Sequence, residues 1–184
     1  MKTIYLLLTR SKSMLSRAIL CLTGDAYTHI SIGVDSNLSA FYSFARRHPS
    51  TPVPAGFVRE TLDGGYFGRH SGMPCALYAL EVPDETYRKI AARLESMCGQ
   101  AEQFHYSVMG LILCGLDFAH ERSRHFFCSQ FVGELLEESG AMRLPKPPSL
   151  MHPMDYAGLP ELRRVYEGQL CGAAYVRLGE GEFA

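Results

Sequence analysis

A chain of 184 residues, 47% hydrophobic and 20% charged, is long enough for one domain with a sizeable core, and that domain is expected to span residues 1–184. A formal net charge of −1 supplies no global attraction to nucleic acid or to an anionic membrane, so no nucleic-acid partner is expected. Cys21, Cys75, Cys98, Cys114, Cys128 and Cys171 are scattered, with no Cys-x-x-Cys pair and no dense framework, which points away from a disulfide-stapled secreted domain and toward a reducing, cytoplasmic setting.

In chain order, residues 3–8 read as a first strand, their apolar run being too short for a secretory core. Met14, Leu15, Ala18, Ile19 and Leu22 then give a helical stripe, with Ser11 or Ser13 as N-cap and Gly24 as stop. Residues 29–35 alternate, Ile30, Ile32 and Val34 against His29, Ser31, Gly33 and Asp35, as a half-buried strand does. The turn pair Ser36-Asn37 and the aromatic-rich residues 40–44 complete a hairpin. A Pro-rich connection (46–54), a strand (56–61) and a Gly-rich loop (63–72) follow.

Residues 75–82 form a further strand stopped by Pro83, and Asp84 is placed to cap a helix that ends at Gly99. Residues 106–116 are apolar almost all round and read as a buried helix; 108–116 is the nearest approach to a membrane span but falls well short of the ~20 residues required, so no transmembrane segment is expected. Residues 144–153, with four prolines, read as an extended loop, 154–159 as one helical turn, and 164–167 and 173–178 as final strands.

The clearest helix begins at Cys128. Cys128, Phe131, Val132, Leu135, Leu136 and Ser139 share one face of a 3.6-residue period, and Gly140 stands where a left-handed stop belongs. A thiol in a helix's first turn faces unpaired N–H groups and the positive end of the dipole, which favour the nucleophilic thiolate; a free Cys on an apolar stripe is equally a core residue. A cysteine hydrolase also needs a base that returns a proton to the leaving group and donors for the oxyanion. His29, on the more polar face of its strand, is the natural base for Cys128, although a histidine at a strand end also serves structure.

The segment Tyr27-Thr28-His29-Ile30-Ser31-Ile32-Gly33, followed about a hundred residues later by Phe127-Cys128-Ser129-Gln130-Phe131-Val132, resembles the circularly permuted branch of the NlpC/P60 (papain-like) superfamily, in which the histidine strand precedes the cysteine helix. The ordered elements carry the resemblance over roughly residues 1–140. It implies an α+β fold, an antiparallel sheet packed against the Cys-bearing helix, with Cys128 as nucleophile and His29 as general base and acid. It implies a third group orienting the histidine, for which Ser43 on the neighbouring strand is the first choice and Glu60 the alternative, a carboxylate stabilising an imidazolium better than a hydroxyl does. The oxyanion would be met by the Cys128 N–H and a side-chain donor, Tyr27 or Tyr5. The implied activity is hydrolysis of an amide, peptide or ester bond through an acyl-enzyme, with no cofactor or metal; acyl transfer is the close variant, and a catalytically inactive ligand-binding domain on the same fold is the alternative.

Another rival reading is a zinc site built from His120, His125 and Cys128 with His105, whose spacings match no usual Cys/His pair. Arg46, Arg47, His48, Arg59, Arg69 and His70 concentrate positive charge in the segment that should border the site, either as solvated loop charge or, for Arg46, Arg47 and Arg59, to capture a substrate carboxylate or phosphate. Tyr42, Phe44, Tyr66 and Phe67 in the same segment are either core or the lining of an acyl groove.

Overall fold

The computed structural model describes residues 1–10, 24–48 and 54–176. These residues form a mixed α+β architecture around one eight-stranded, mostly antiparallel sheet. The strands are β1 (Lys2–Thr9), β2 (His29–Gly33), β3 (Phe41–Arg46), β4 (Ala55–Glu60), β5 (Pro74–Val82), β6 (His105–Tyr106), β7 (His125–Phe126) and β8 (Arg163–Gln169). Their spatial order is β7-β6-β4-β3-β2-β1-β5-β8, with β6 and β7 the parallel pair. The six described helices are α1 (Gly65–Arg69), α2 (Asp84–Gly99), α3 (Val108–Gly115), α4 (Cys128–Ser139), α5 (Pro153–Ala157) and α6 (Leu170–Val176).

Alternation along the central strands divides the core between the two faces of the sheet. Ile4, Leu6 and Leu8 of β1, Ile30 and Ile32 of β2, Phe44 of β3 and Ala76, Tyr78, Leu80 and Val82 of β5 meet Ile90, Leu94 and Met97 of α2 and Cys128, Phe131, Val132, Leu135 and Leu136 of α4. Leu7, Phe41, Cys75 and Leu77 project the other way, onto Phe67 of α1 and Leu170 and Ala173 of α6. The centre of the first face is aromatic: the Phe44 ring lies 5.1 Å from Phe126, 5.2 Å from Phe131 and 5.8 Å from Phe57, centroid to centroid. Tilted and edge-on rings at these separations bury large area and add quadrupole attraction, fixing α4 over β2 and β3.

Gly140 ends α4 with φ of 75°, in the left-handed region glycine adopts without a Cβ penalty. The long helix α2 begins on Asp84 as its first residue after Pro83, so Asp84 complements the dipole from inside the first turn instead of capping it. The expected helix through Met14 and Leu22 and part of the 46–54 connection lie outside the described residues.

Three expectations are corrected. The Gly-rich 63–72 stretch contains α1, anchored by buried Phe67. Residues 173–176 belong to a helix, α6, where a strand was expected over 173–178, because Leu170 and Ala173 cover the second face at helical spacing; 177 and 178 lie outside the described residues. Finally, α3 is not buried all round: Gly110 and Cys114 face inward, while Val108, Met109, Ile112 and Leu116 are more than half exposed. No helix among the described residues is long and apolar enough to cross a membrane.

Candidate active site

Helix α4 places Cys128 at its first residue with Phe127, fully buried, as N-cap. Phe126 belongs to β7, which pairs with β6, so the cysteine's approach is fixed by a short strand on one side and by the helix on the other. Cys128 is 4% exposed. Burial pushes its thiol above the ordinary value, and this outweighs the donors that favour the thiolate: the backbone N–H of Ile30, the N–H groups of Ser129 and Cys128, and the Ser129 hydroxyl. The thiolate anticipated from a helix's first turn is therefore not the resting form; the thiol is neutral and surrounded by donors.

The Ile30 N–H links this thiol to the histidine strand. β2 pairs closely with β1, from Thr9↔His29 to Tyr5↔Gly33, but with β3 only at Ile32↔Tyr42. At the open end of the β2–β3 seam the backbone groups of Ile30 turn to side chains instead: the carbonyl accepts the Ser43 hydroxyl at 2.7 Å and the N–H faces the Cys128 sulfur. Ser43 is buried and its hydrogen goes to Ile30, so it shapes the strand next to His29 and is not spent on the imidazole.

His29 is the first residue of β2 and is half-buried. Burial, and after it the charge on Arg46, lowers its pKa to about 4, so the ring is neutral at physiological pH. The pleat directs His29 to the side of β2 opposite Ile30, and among the described residues no hydrogen bond joins its ring to the Cys128 sulfur. Thus the structure brings the thiol to the residue next to His29, at the end of the strand where the sheet is open.

The remaining candidates separate. Tyr27 is buried and gives its hydroxyl to Glu167 at 2.9 Å; burial and that carboxylate raise its pKa. Tyr5 packs with Leu7 and Phe41, on the face of the sheet away from α4, so neither tyrosine presents its hydroxyl to Cys128. Glu60 ends β4, and burial raises its carboxyl to about 7 although Arg46 pulls it down. Arg46 places its guanidinium 4.6 Å above the Tyr66 ring. Arg47 is a structural pin: it pairs with Glu102 at 2.5 Å and donates to the carbonyls of Ala101 and Phe104 at 2.6 and 2.9 Å. Arg59 is exposed. Phe44 and Phe67 are core, on opposite faces.

Two phenols that the sequence did not single out stand near Cys128. Burial, and then the proximity of the Cys128 sulfur, raises the pKa of Tyr106 on β6 well above the ordinary value. Tyr156 on α5 behaves likewise and donates to the Ser129 carbonyl at 2.6 Å. Gly133 makes room for it, since a Cβ there would sit 2.7 Å from the Tyr156 hydroxyl oxygen. A further thiol–imidazole contact, Cys114 Sγ to His152 Nε2 at 3.7 Å, lies alongside; burial raises Cys114 to about 11. Tyr106 was hidden inside an expected helix, and Tyr156 reaches Ser129 only through a long-range fold contact, so local pattern carried no signal for either.

The zinc reading loses its geometry. His105 and His125 stand side by side with ring centroids 5.2 Å apart, Cys128 turns into the core, and among the described residues no three His, Cys, Asp or Glu side chains are gathered to hold one ion. The described cysteines Cys75, Cys98, Cys114, Cys128 and Cys171 are free thiols. No protein-family model and no curated protein matches this sequence.

Proposed function

We propose that the chain is a cysteine hydrolase of the permuted papain-like (NlpC/P60) type, acting on an amide, peptide or ester bond in a reducing, cytoplasmic setting. The observation that carries this reading is the junction of α4 and β2: Cys128 opens the helix under the N–H of Ile30, one residue from His29, with the Ser129 N–H beside it. Two backbone N–H groups converging on a buried sulfur can also meet the oxyanion that forms when the sulfur attacks a carbonyl.

Both partners rest neutral, so proton transfer accompanies attack. As the Cys128 sulfur bonds to the carbonyl carbon, its proton passes to the His29 imidazole, which must swing around the open end of β2 from the side opposite Ile30 to receive it, and the imidazolium then protonates the departing amine or alcohol. Water, deprotonated by the same ring, attacks the thioester, and the acid leaves as the sulfur regains its proton. Replacement of water by another nucleophile gives the acyltransferase variant.

The absence of a His29–Cys128 hydrogen bond among the described residues, together with the neutral state of both groups, favours a second reading: a binding domain on the same fold without turnover. A panel of amide, thioester and ester substrates separates the two. Turnover that falls by at least about a hundredfold in both Cys128→Ser and His29→Ala supports the hydrolase. Turnover unchanged in either variant contradicts the Cys128–His29 chemistry, and no turnover with any substrate supports the binding domain.

A further inference from the structure

Arg46 is the last residue of β3, paired in register with Ala55. It is half-buried and not splayed into solvent. Its guanidinium lies 4.6 Å from the Tyr66 centroid, and Tyr66 in turn stacks on His70 with centroids 4.2 Å apart and planes 28° from parallel. The His70 ring is tied by Nδ1 to the Tyr66 carbonyl at 3.0 Å, so the platform under the cation is itself braced. Stacking on an aromatic face orients a guanidinium while leaving the N–H groups along its edge available.

No carboxylate among the described residues comes within ion-pair distance of Arg46; the ion pairs there belong to Arg47, Lys89, Lys146, Arg164 and the N-terminus. Its charge is nevertheless felt at two sites, His29 and Glu60. Burial raises the Glu60 carboxyl to about 7, so near neutral pH it is only partly ionised and compensates the cation only in part. A braced, half-buried cation without an ion-pair partner, whose charge is felt at the candidate base, keeps the edge of its guanidinium open to an anion.

We infer that Arg46, oriented by Tyr66, is the specificity residue for a carboxylate on the substrate, so that the hydrolase would act on acyl or peptidyl groups bearing a free carboxylate near the scissile bond. This assignment rests on the hydrolase reading for its meaning as specificity. One planar fork with one positive charge matches one carboxylate bidentately, whereas a phosphate dianion calls for a second cation, and the adjacent Arg47 is already spent on Glu102 and on the carbonyls of Ala101 and Phe104.

The test is an NMR titration of the full chain at pH 7, following the Arg46 side-chain and His29 ring resonances, with sodium propionate, propionamide and inorganic phosphate as separate probes. Propionate is expected to give saturable shifts at both residues and propionamide none. Affinity should weaken by at least about tenfold in Arg46→Gln and measurably in Arg46→Lys, which keeps the charge but loses the fork. Arg46→Lys, with a thermal midpoint close to that of the native chain, guards against simple loss of fold. Propionate shifts that persist in Arg46→Gln, equal response to propionamide, no response to propionate, or tighter binding of phosphate than of propionate would each overturn the assignment. The titration reads binding alone, so an inert Cys128 leaves the propionate shifts in place, and missing shifts leave the Cys128 chemistry untouched.

Discussion

The Ser43 hydroxyl donates to the Ile30 carbonyl at 2.7 Å, in a stretch where β2 and β3 pair through backbone only at Ile32↔Tyr42. One serine thus replaces a ladder hydrogen bond and holds open the seam into which the Ile30 N–H and the Cys128 sulfur project. In Ser43→Ala the buried carbonyl loses its partner, and the expected cost is about 1–3 kcal/mol in chemical denaturation. The same variant should change Cys128 alkylation relative to the native chain at equal pH, because the strand that supplies the N–H loses its brace. A Ser43→Ala chain with unchanged denaturation midpoint and unchanged Cys128 alkylation would remove Ser43 from the account.

Gly133 and Tyr156 form a coupled pair. A Cβ at Gly133 would lie 2.7 Å from the Tyr156 hydroxyl oxygen, 2.9 Å from Leu144 Cδ1 and 3.1 Å from Pro148 Cβ. Gly133→Ala is expected to cost about 1–3 kcal/mol by overpacking and to displace the phenol from the Ser129 carbonyl. Tyr156→Phe alone leaves that carbonyl short of a donor. The double variant Gly133→Ala/Tyr156→Phe should therefore be less unstable than the two single costs added, by at least about 0.5 kcal/mol in a double-mutant cycle. Strict additivity would mean that the alanine is accommodated elsewhere.

The pH dependence has two opposing parts. Glu60 has a folded pKa of about 7 against an ordinary value of 4.5, so folding favours its protonated form. Its contribution is most favourable below pH 4.5 and is lost as pH rises through 7. For His29, lowered from 6.5 to about 4, the contribution is fully present above pH 6.5 and is lost as pH falls through 4. Glu60→Gln removes the first part only: the variant should gain on the order of 2 kcal/mol over the native chain at pH 8 and little or nothing at pH 4, read from urea midpoints. An equal difference at both pH values would contradict a buried, proton-holding Glu60.

Much of the frame was legible where period and burial coincide. The alternation of Ile30 and Ile32 against His29 and Ser31 is the observed division between the two faces, and the Cys128 stripe with Gly140 behind it is α4 from first residue to stop. What escaped was decided by contacts between distant residues. Strands β6 and β7 are two residues each, too short to carry a period, yet they set Tyr106 and Phe126 beside Cys128. The apolar run of α3 gave no inner and outer side, and its small residue Gly110, together with Cys114, faces inward. For the site, Cys128 and the His29 strand do come together, while the role expected of Ser43 was displaced by one residue: it serves the Ile30 carbonyl instead of the ring.

Acylation of Cys128 tests the central claim most directly. The intact chain is incubated with a carboxylate-bearing thioester, quenched at short times, and the adduct is mapped by peptide mass spectrometry in the native chain, in His29→Ala and in Cys128→Ser. A single acyl group is expected on Cys128 of the native chain, formed at least about a hundredfold more slowly in His29→Ala and absent from Cys128→Ser. Acyl groups distributed over the exposed thiols of Cys98 and Cys171, at rates indifferent to His29→Ala, would contradict it.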